Sequence, residues 1–238
     1  MTAIRTARDR ARAELTQEIK AEARRQLAEH GAHQLSLRAV AKALGMVSSA
    51  LYRYVPSRDQ LLTALIIDAY DALGDAAEAA DAGVDRADHR GRWQAACQAV
   101  RTWARAHPHE YALIYGSPIP GYRAPQDTVA PATRVALLLV ALVQESHAAG
   151  TLTAPAADAA PLPPQVAEQT RRLAETIASG LPPLVLARVV LAWTQLFGLI
   201  SFELFGQFVG SMDPAEPFAA YATDQLADYV GLRAGIPD

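Results

Sequence analysis

Apolar residues along this chain recur at spacings of three and four, a repeat that predicts one helix after another. Ile19, Ala23 and Leu27 line one face of a first helix over about 5–30, which Gly31 ends. Ser36 stands where an N-cap belongs, and Leu37, Val40, Ala41 and Leu44 keep the repeat as far as Gly45. A short helix over roughly 48–54 follows. Ser57 and Gln60 then have capping-box spacing and open a long helix with Leu61, Leu62, Leu65, Ala69 and Leu73 inward, fading near 75–90. Further helices are predicted at about 91–106, 108–115, 127–149, 165–179, 184–209 and 214–233. Asp213 as N-cap, Pro214 at the first position and Glu216 at the third open the last of them. Pro108, GSPIPGYRAP (116–125) and TAPAADAAPLPP (153–164) interrupt the series, the last as a mobile Pro/Ala-rich surface loop.

Composition supports an all-α chain, because alanine and leucine dominate and the β-branched runs of strands are nearly absent. At 238 residues, one small and one larger domain are expected. The single Cys97 excludes an internal disulfide framework and any CxxC motif; it reads as a small core hydrophobe in a reducing cytoplasm. No apolar stretch follows Arg5, Arg8, Arg10 and Arg12, so no signal peptide is read there. Val189 to Phe202 is a run of fourteen uncharged residues between Arg188 and Glu203. That is short of the ~18–20 needed to span a bilayer, so it reads as a buried helix with no membrane partner.

Charge changes the picture. The net value of -3 conceals a head, residues 1–60, with eleven Lys/Arg against six Asp/Glu, and a remainder with eleven against nineteen. A basic head on an acidic body points to a polyanion partner for the head, although charge alone fits an ordinary solvated face as well. The second and third helices, joined through Gly45, have the form of a helix-turn-helix with a small shared core of Leu37, Val40, Ala41, Leu44 and Leu51. Left over on the second element are Ser48, Ser49, Ala50, Tyr52, Arg53 and Tyr54. Small residues at the front suit close approach to base edges in a major groove, and tyrosine hydroxyls and arginine at the back suit phosphate. Ser36 and Arg58 begin the flanking helices, where free backbone N–H groups favour a phosphate. The competing reading is a small helical subdomain whose tyrosines merely pack.

The stretch SLRAVAKALGMVSSALYRYVPSRDQLLTALI resembles the N-terminal DNA-binding region of TetR/AcrR-type transcriptional regulators. The residues that carry the resemblance are Ser36, Val40-Ala41, Leu44-Gly45, Leu51-Tyr52, Ser57-Arg58-Asp59 and Leu61. The likeness covers roughly residues 10–70. Val47 replaces the serine that often caps the family's recognition helix, leaving Ser48 for that task; Tyr54 replaces a histidine and Val55 a phenylalanine. The resemblance implies a helix-turn-helix DNA-binding domain over 1–56 and a larger helical ligand-binding and dimerisation domain over 57–238. A double-stranded operator and a small, largely apolar effector are its implied partners.

The body is compatible with that. A helix over 184–209 apolar on nearly every face must be buried on several sides, either in the centre of one core or against a second subunit. With Phe218, Tyr221, Leu226, Tyr229 and Val230 behind it, 184–209 and 214–233 are the expected homodimer helices. The segment WTQLFGLISFELFG (193–206) is also similar, more weakly, to WHG-type C-terminal domains, which brings Trp193 and Phe197 into the candidate ligand set. Trp103, His107, Tyr111 and Tyr115 complete that set, in a segment that also holds His109 and Glu110. Aromatics with a few polar tips suit a small-molecule site, and equally a packed helix junction. His107 and His109 flank a proline with no cysteine nearby, so no metal is expected. No GxSxG, GxGxxG, P-loop or HExxH pattern occurs, and neither Ser146-His147 nor Cys97 sits beside a catalytic partner, so neither an enzyme nor a cofactor is expected. The rival class is an all-helical protein–protein interaction module, which leaves the basic, tyrosine-bearing head unexplained.

Overall fold

The computed structural model describes residues 6–154 and 160–232, so Arg5, the centre of the expected 153–164 loop and the end of the expected 214–233 helix lie outside the described residues. Every regular element among those described is helical. In chain order they are α1 (Ala7–His30), α2 (Leu37–Ala43), α3 (Ser48–Leu51), α4 (Arg58–Ala82), α5 (His89–Ala106), α6 (Pro108–Tyr115), α7 (Val129–Ala148), α8 (Pro164–Ile177), α9 (Pro183–Leu204) and α10 (Ala215–Val230). Short 3-10 turns over Ala32–Gln34 and Gln126–Thr128 precede α2 and α7. The chain forms two compact units: Met1–Asp71 with His107–Ala132, and Ala72–Ala106 with Thr133–Asp238.

In the first unit, α1 begins at a complete capping box. The Thr6 hydroxyl accepts from the Asp9 N–H (3.2 Å) while the Asp9 carboxylate accepts from the Thr6 N–H (3.1 Å). The turn after α2 shows why Gly45 is needed. The Met46 N–H bonds the Ala41 carbonyl (2.8 Å) and the Gly45 N–H bonds that of Lys42 (3.2 Å), which is a Schellman closure. It requires the left-handed backbone that Gly45 adopts at φ 65°. The core beneath comprises Ile19, Ala23 and Leu27 of α1, Leu35, Leu37, Val40 and Ala41 of α2 and its approach, Leu51 and Val55, and Leu61, Leu62 and Leu65 of α4. The small Val55, where the family often has phenylalanine, is buried there. Ion pairs lock the outside: Arg24 holds Asp68 (2.6 Å) and Glu110 (2.9 Å), and Lys20 joins Asp68 (2.8 Å).

Three caps differ from expectation. Val47, not Ser48, is the N-cap of α3 and supplies no side-chain bond, because Ser48 already has helical geometry. Ser36 caps α2 by backbone position only, without a side-chain bond. Pro214 rather than Asp213 is the N-cap of α10, so that helix starts one residue late. At α4 the Ser57 hydroxyl does accept from the Gln60 N–H (3.1 Å), one half of the expected box.

In the second unit two arginines are fully buried. Arg92 pairs with Asp81 (2.7 Å) and Glu145 (2.6 Å), and Arg101 with Glu203 (2.7 Å) and Glu216 (2.6 Å). Burial opposes the charge on Asp81, but bonds from Arg92 and Arg86 outweigh it and hold the carboxyl below its usual range. Asp81 and Glu203 are the sheltered partners, and removing the arginine from either leaves a carboxylate in a largely dry site, at a cost of about 3–5 kcal/mol. Cys97 lies fully buried, and burial pushes its thiol up to about 12.

The uncharged run of fourteen residues belongs to a longer helix. α9 runs for 22 residues, and by length and composition it and the helix over Gln126–Ala148 could cross a bilayer. One face of α9 packs on protein: Val185, Leu186, Val189, Ala192, Leu196, Phe197 and Ile200 are buried, and Glu203 closes on Arg101.

Candidate nucleic-acid interface

The recognition element is one helical turn, Ser48–Leu51, continued by a hydrogen-bonded turn to Val55. Leu51 plugs it into the core, which fixes what faces outward. Ser49, Tyr52 and Arg53 are exposed, whereas Ser36, Ser48, Ala50, Tyr54 and Arg58 are half-buried. These residues therefore form a graded surface, not a uniformly free one. Val47, at the front of the turn, is 69% exposed. A valine standing free beside small residues offers methyls of the kind that meet a thymine methyl, a role its sequence position as a failed cap did not suggest.

Two arginines act differently from any sequence-based expectation. Arg58 donates to the Ala32 carbonyl (2.8 Å) and the Leu35 carbonyl (3.0 Å), with a longer contact to His33 (3.4 Å). Its guanidinium therefore ties the start of α4 to the approach of α2. Arg12 donates to the Arg53 carbonyl (3.2 Å) and lies 5.3 Å from the centre of the Tyr54 ring. That contact joins residues 41 apart in sequence, and only folding reveals it.

Electrostatics separate the units clearly. Arg8, Arg10, Arg12, Arg38, Lys42 and Arg53 carry no ion pair to any described residue. In the second unit, by contrast, Arg86, Arg90, Arg92, Arg101, Arg105, Arg134, Arg171 and Arg172 are all matched to carboxylates. Arg188, which meets the Tyr229 carbonyl (3.4 Å) and ring instead, is the described exception in that unit; around the helix-turn-helix positive charge is left available, as a phosphate-binding face requires.

The sequence-selected aromatic residues fall into separate groups. In the first unit Tyr111, fully buried, lies 5.2 Å from Tyr115 ring to ring, and Tyr115 meets Tyr70 edge-on at 5.9 Å. Burial, reinforced by the neighbouring Tyr70 and Tyr111, raises the Tyr115 hydroxyl well above its usual range. In the second unit Trp193 and Phe197 stack edge-on at 6.1 Å, and Trp103 is buried in α5. His107 is an exposed N-cap of α6 without a side-chain capping bond. None of these lines the groove of about 450 Å³ between α9 and α10, which is walled by Gly198, Leu199, Phe202, Phe218, Tyr221 and Leu226 among others.

Comparison with known proteins assigns the geometry. The pattern described as bacterial regulatory proteins, tetR family, matches residues 19–65, and the Tetracyclin repressor-like C-terminal domain matches 93–226. The HTH-type transcriptional regulator Rv1816 of Mycobacterium tuberculosis (strain ATCC 25618 / H37Rv) is 41% identical over 216 residues, 88% of this chain and 90% of that protein. The chain belongs to the TetR family. It is therefore a DNA-binding transcriptional regulator, a non-enzymatic class. HTH-type transcriptional regulator Mb1846 of Mycobacterium bovis has the same identity and coverage. Among solved structures, SCO4313, described as a regulatory protein, superposes with a TM-score of 0.74 at 35% identity, covering 94% of this chain and all of that one. A TetR family transcription regulator from Marinobacter aquaeolei VT8 shares the fold, with a TM-score of 0.57 at 19% identity over 92% of this chain and 96% of that one.

Proposed function

We propose that this TetR-family regulator is a cytoplasmic homodimeric repressor that binds a palindromic operator and is released by a small, largely apolar molecule. The observation that carries the proposal is the division of charge: unpaired cations surround the recognition turn, while all but one of the described arginines of the second unit are matched to carboxylates. Ser36, Ser48, Ser49, Ala50, Tyr52, Arg53 and Tyr54 make up its DNA face. Tyr52, 45% exposed, and Arg53 supply phosphate contacts, and the small residues meet base edges. Arg58 serves that face as a positioning residue through its three carbonyls. Residues 1–56 form the reading head, and 57–238 the responding body.

The dimer is supported by α9 and α10. Leu191 and Phe202 of α9, Phe205 at its C-cap, and Tyr221 and Tyr229 of α10 are exposed, and Phe202 and Tyr221 line the mostly apolar α9–α10 groove. Exposed apolar residues along α9 and α10 are what a homodimer interface covers. Twofold pairing presents two recognition turns to major grooves about 34–36 Å apart. The effector reading has two separate candidate groups: Tyr111 and Tyr115 with Tyr70 and His107 in the first unit, and Trp103 with the Trp193–Phe197 pair in the second. An effector that prefers a conformer with wrongly spaced heads empties the operator by population shift. α4, one unbroken helix shared by the two compact units, is the lever of this mechanism.

The test is a gel shift of the full chain on the promoter region beside its own gene, paired with sedimentation at micromolar concentration. Salt-sensitive binding by a dimer is expected. Phe202→Asp with Tyr221→Asp, at positions 53% and 60% exposed, is expected to give a folded monomer with weakened operator binding. Absence of salt-sensitive binding to any duplex, or a wild-type monomer, would sink the proposal.

A further inference from the structure

The apolar stripe of α1 changes character along its length. Leu27, Ala23, Ile19 and Leu15 recur at helical spacing, the first three buried and Leu15 half-buried against the same core. A step of three and then one of four, which return to the same face at 3.6 residues per turn, reach Arg12 and Arg8 next. Residues 6–14 are exposed throughout, so these opening turns bury no side chain in the core of the first unit. They are nevertheless held in place. The Thr6–Asp9 box fixes the first turn, and Arg12 grips the Arg53 carbonyl and the Tyr54 ring at the end of the recognition turn. Arg8 lies one turn further along that face, about 6 Å on at 1.5 Å per residue. It carries no ion pair or hydrogen bond to any described residue, and the nearby carboxylate of Asp9 is engaged by Thr6. Where protein would cover the stripe, an apolar residue serves; an unpaired arginine there suits a polyanion.

We propose that the first turns of α1 extend the DNA-binding surface beyond the helix-turn-helix, with Arg8 neutralising a backbone phosphate beside the groove that the Ser48–Val55 turn enters, and Arg12 positioning it. The family pattern begins only at residue 19, so this segment lies outside what that pattern covers. The inference rests on the DNA-binding reading of the head and adds a contact to it. Because the contact is to phosphate, it adds affinity and salt dependence without sequence preference.

The test uses the full chain and two probes: a duplex selected by the wild-type protein from a random pool, and a duplex of the same length with that sequence shuffled. Binding is followed by fluorescence anisotropy across a salt series for wild type, Arg8→Ala and Arg8→Lys. For Arg8→Ala, the slope of log affinity against log salt is expected to shrink by about 1 per protomer. Affinity should fall by the same factor on both duplexes. Arg8→Lys keeps the charge and should restore the slope. Wild-type slope and affinity in Arg8→Ala overturn the proposal while leaving the regulator reading intact. A loss confined to the selected duplex overturns the phosphate assignment, and a slope in Arg8→Lys as low as in Arg8→Ala overturns the charge argument. If the wild type binds neither duplex, the DNA-binding reading itself fails and this contact falls with it.

Discussion

Arg58→Ala separates two roles that sequence pattern cannot distinguish. If the side chain held phosphate, its loss would lower DNA affinity and reduce the salt slope by about 1, leaving the free protein unaffected. The structure instead gives it two good bonds and one long one to the Ala32, Leu35 and His33 carbonyls. A hydrogen bond to a charged group contributes about 1.5–3 kcal/mol when sheltered. With 32% of this side chain exposed, the lower end applies, and the set is worth roughly 2 kcal/mol in all. Hydrogen exchange on the full chain without DNA reads this directly. Protected amides in residues 19–55 are expected to exchange up to about 30-fold faster, at 1.4 kcal/mol per factor of ten. Amides in α5, in the other compact unit, should keep their rates. Unchanged protection over 19–55 together with a lower salt slope would refute the positioning argument and restore Arg58 as a phosphate ligand.

Other outcomes follow from single features. Gly45→Ala meets no atom within 4 Å but must hold φ 65°, so about 1–2 kcal/mol of stability should be lost, seen as a lower urea midpoint with unchanged slope. Cys97, buried and with its thiol pushed up to about 12, should resist a disulfide-exchange reagent at pH 8 until denaturant is added; rapid native labelling would contradict its burial. The depressed Asp81 carboxyl contributes stability that is fully present above its unfolded value near 4 and is lost as pH falls through the folded one. The gap in urea midpoint between wild type and Asp81→Asn should therefore stay constant from about pH 7 to 5 and shrink below about pH 4. A gap that persists at pH 3 would remove the charge argument.

Much of this protein was legible in local pattern. Three- and four-residue spacing placed the helices because an α-helix returns to the same face every 3.6 residues, and the core needs one face. Gly45 announced the turn because only glycine takes that backbone without strain, and the recognition turn was readable from its neighbours. Thr6 and Asp9 are equally legible, as a Thr-x-x-Asp cap. Side-chain destinations were not legible. Arg58 turns inward to three carbonyls and Arg12 crosses to Arg53 because packing brings distant segments within bonding reach, which no spacing encodes. The same holds for charge. Sequence determined that the head is basic, but tertiary structure decided that Arg86, Arg90, Arg92, Arg101, Arg105, Arg134, Arg171 and Arg172 are paired while Arg8, Arg10, Arg38, Lys42 and Arg53 remain unmatched. Ion pairing depends on distances of a few ångströms between helices, and only the folded chain sets those.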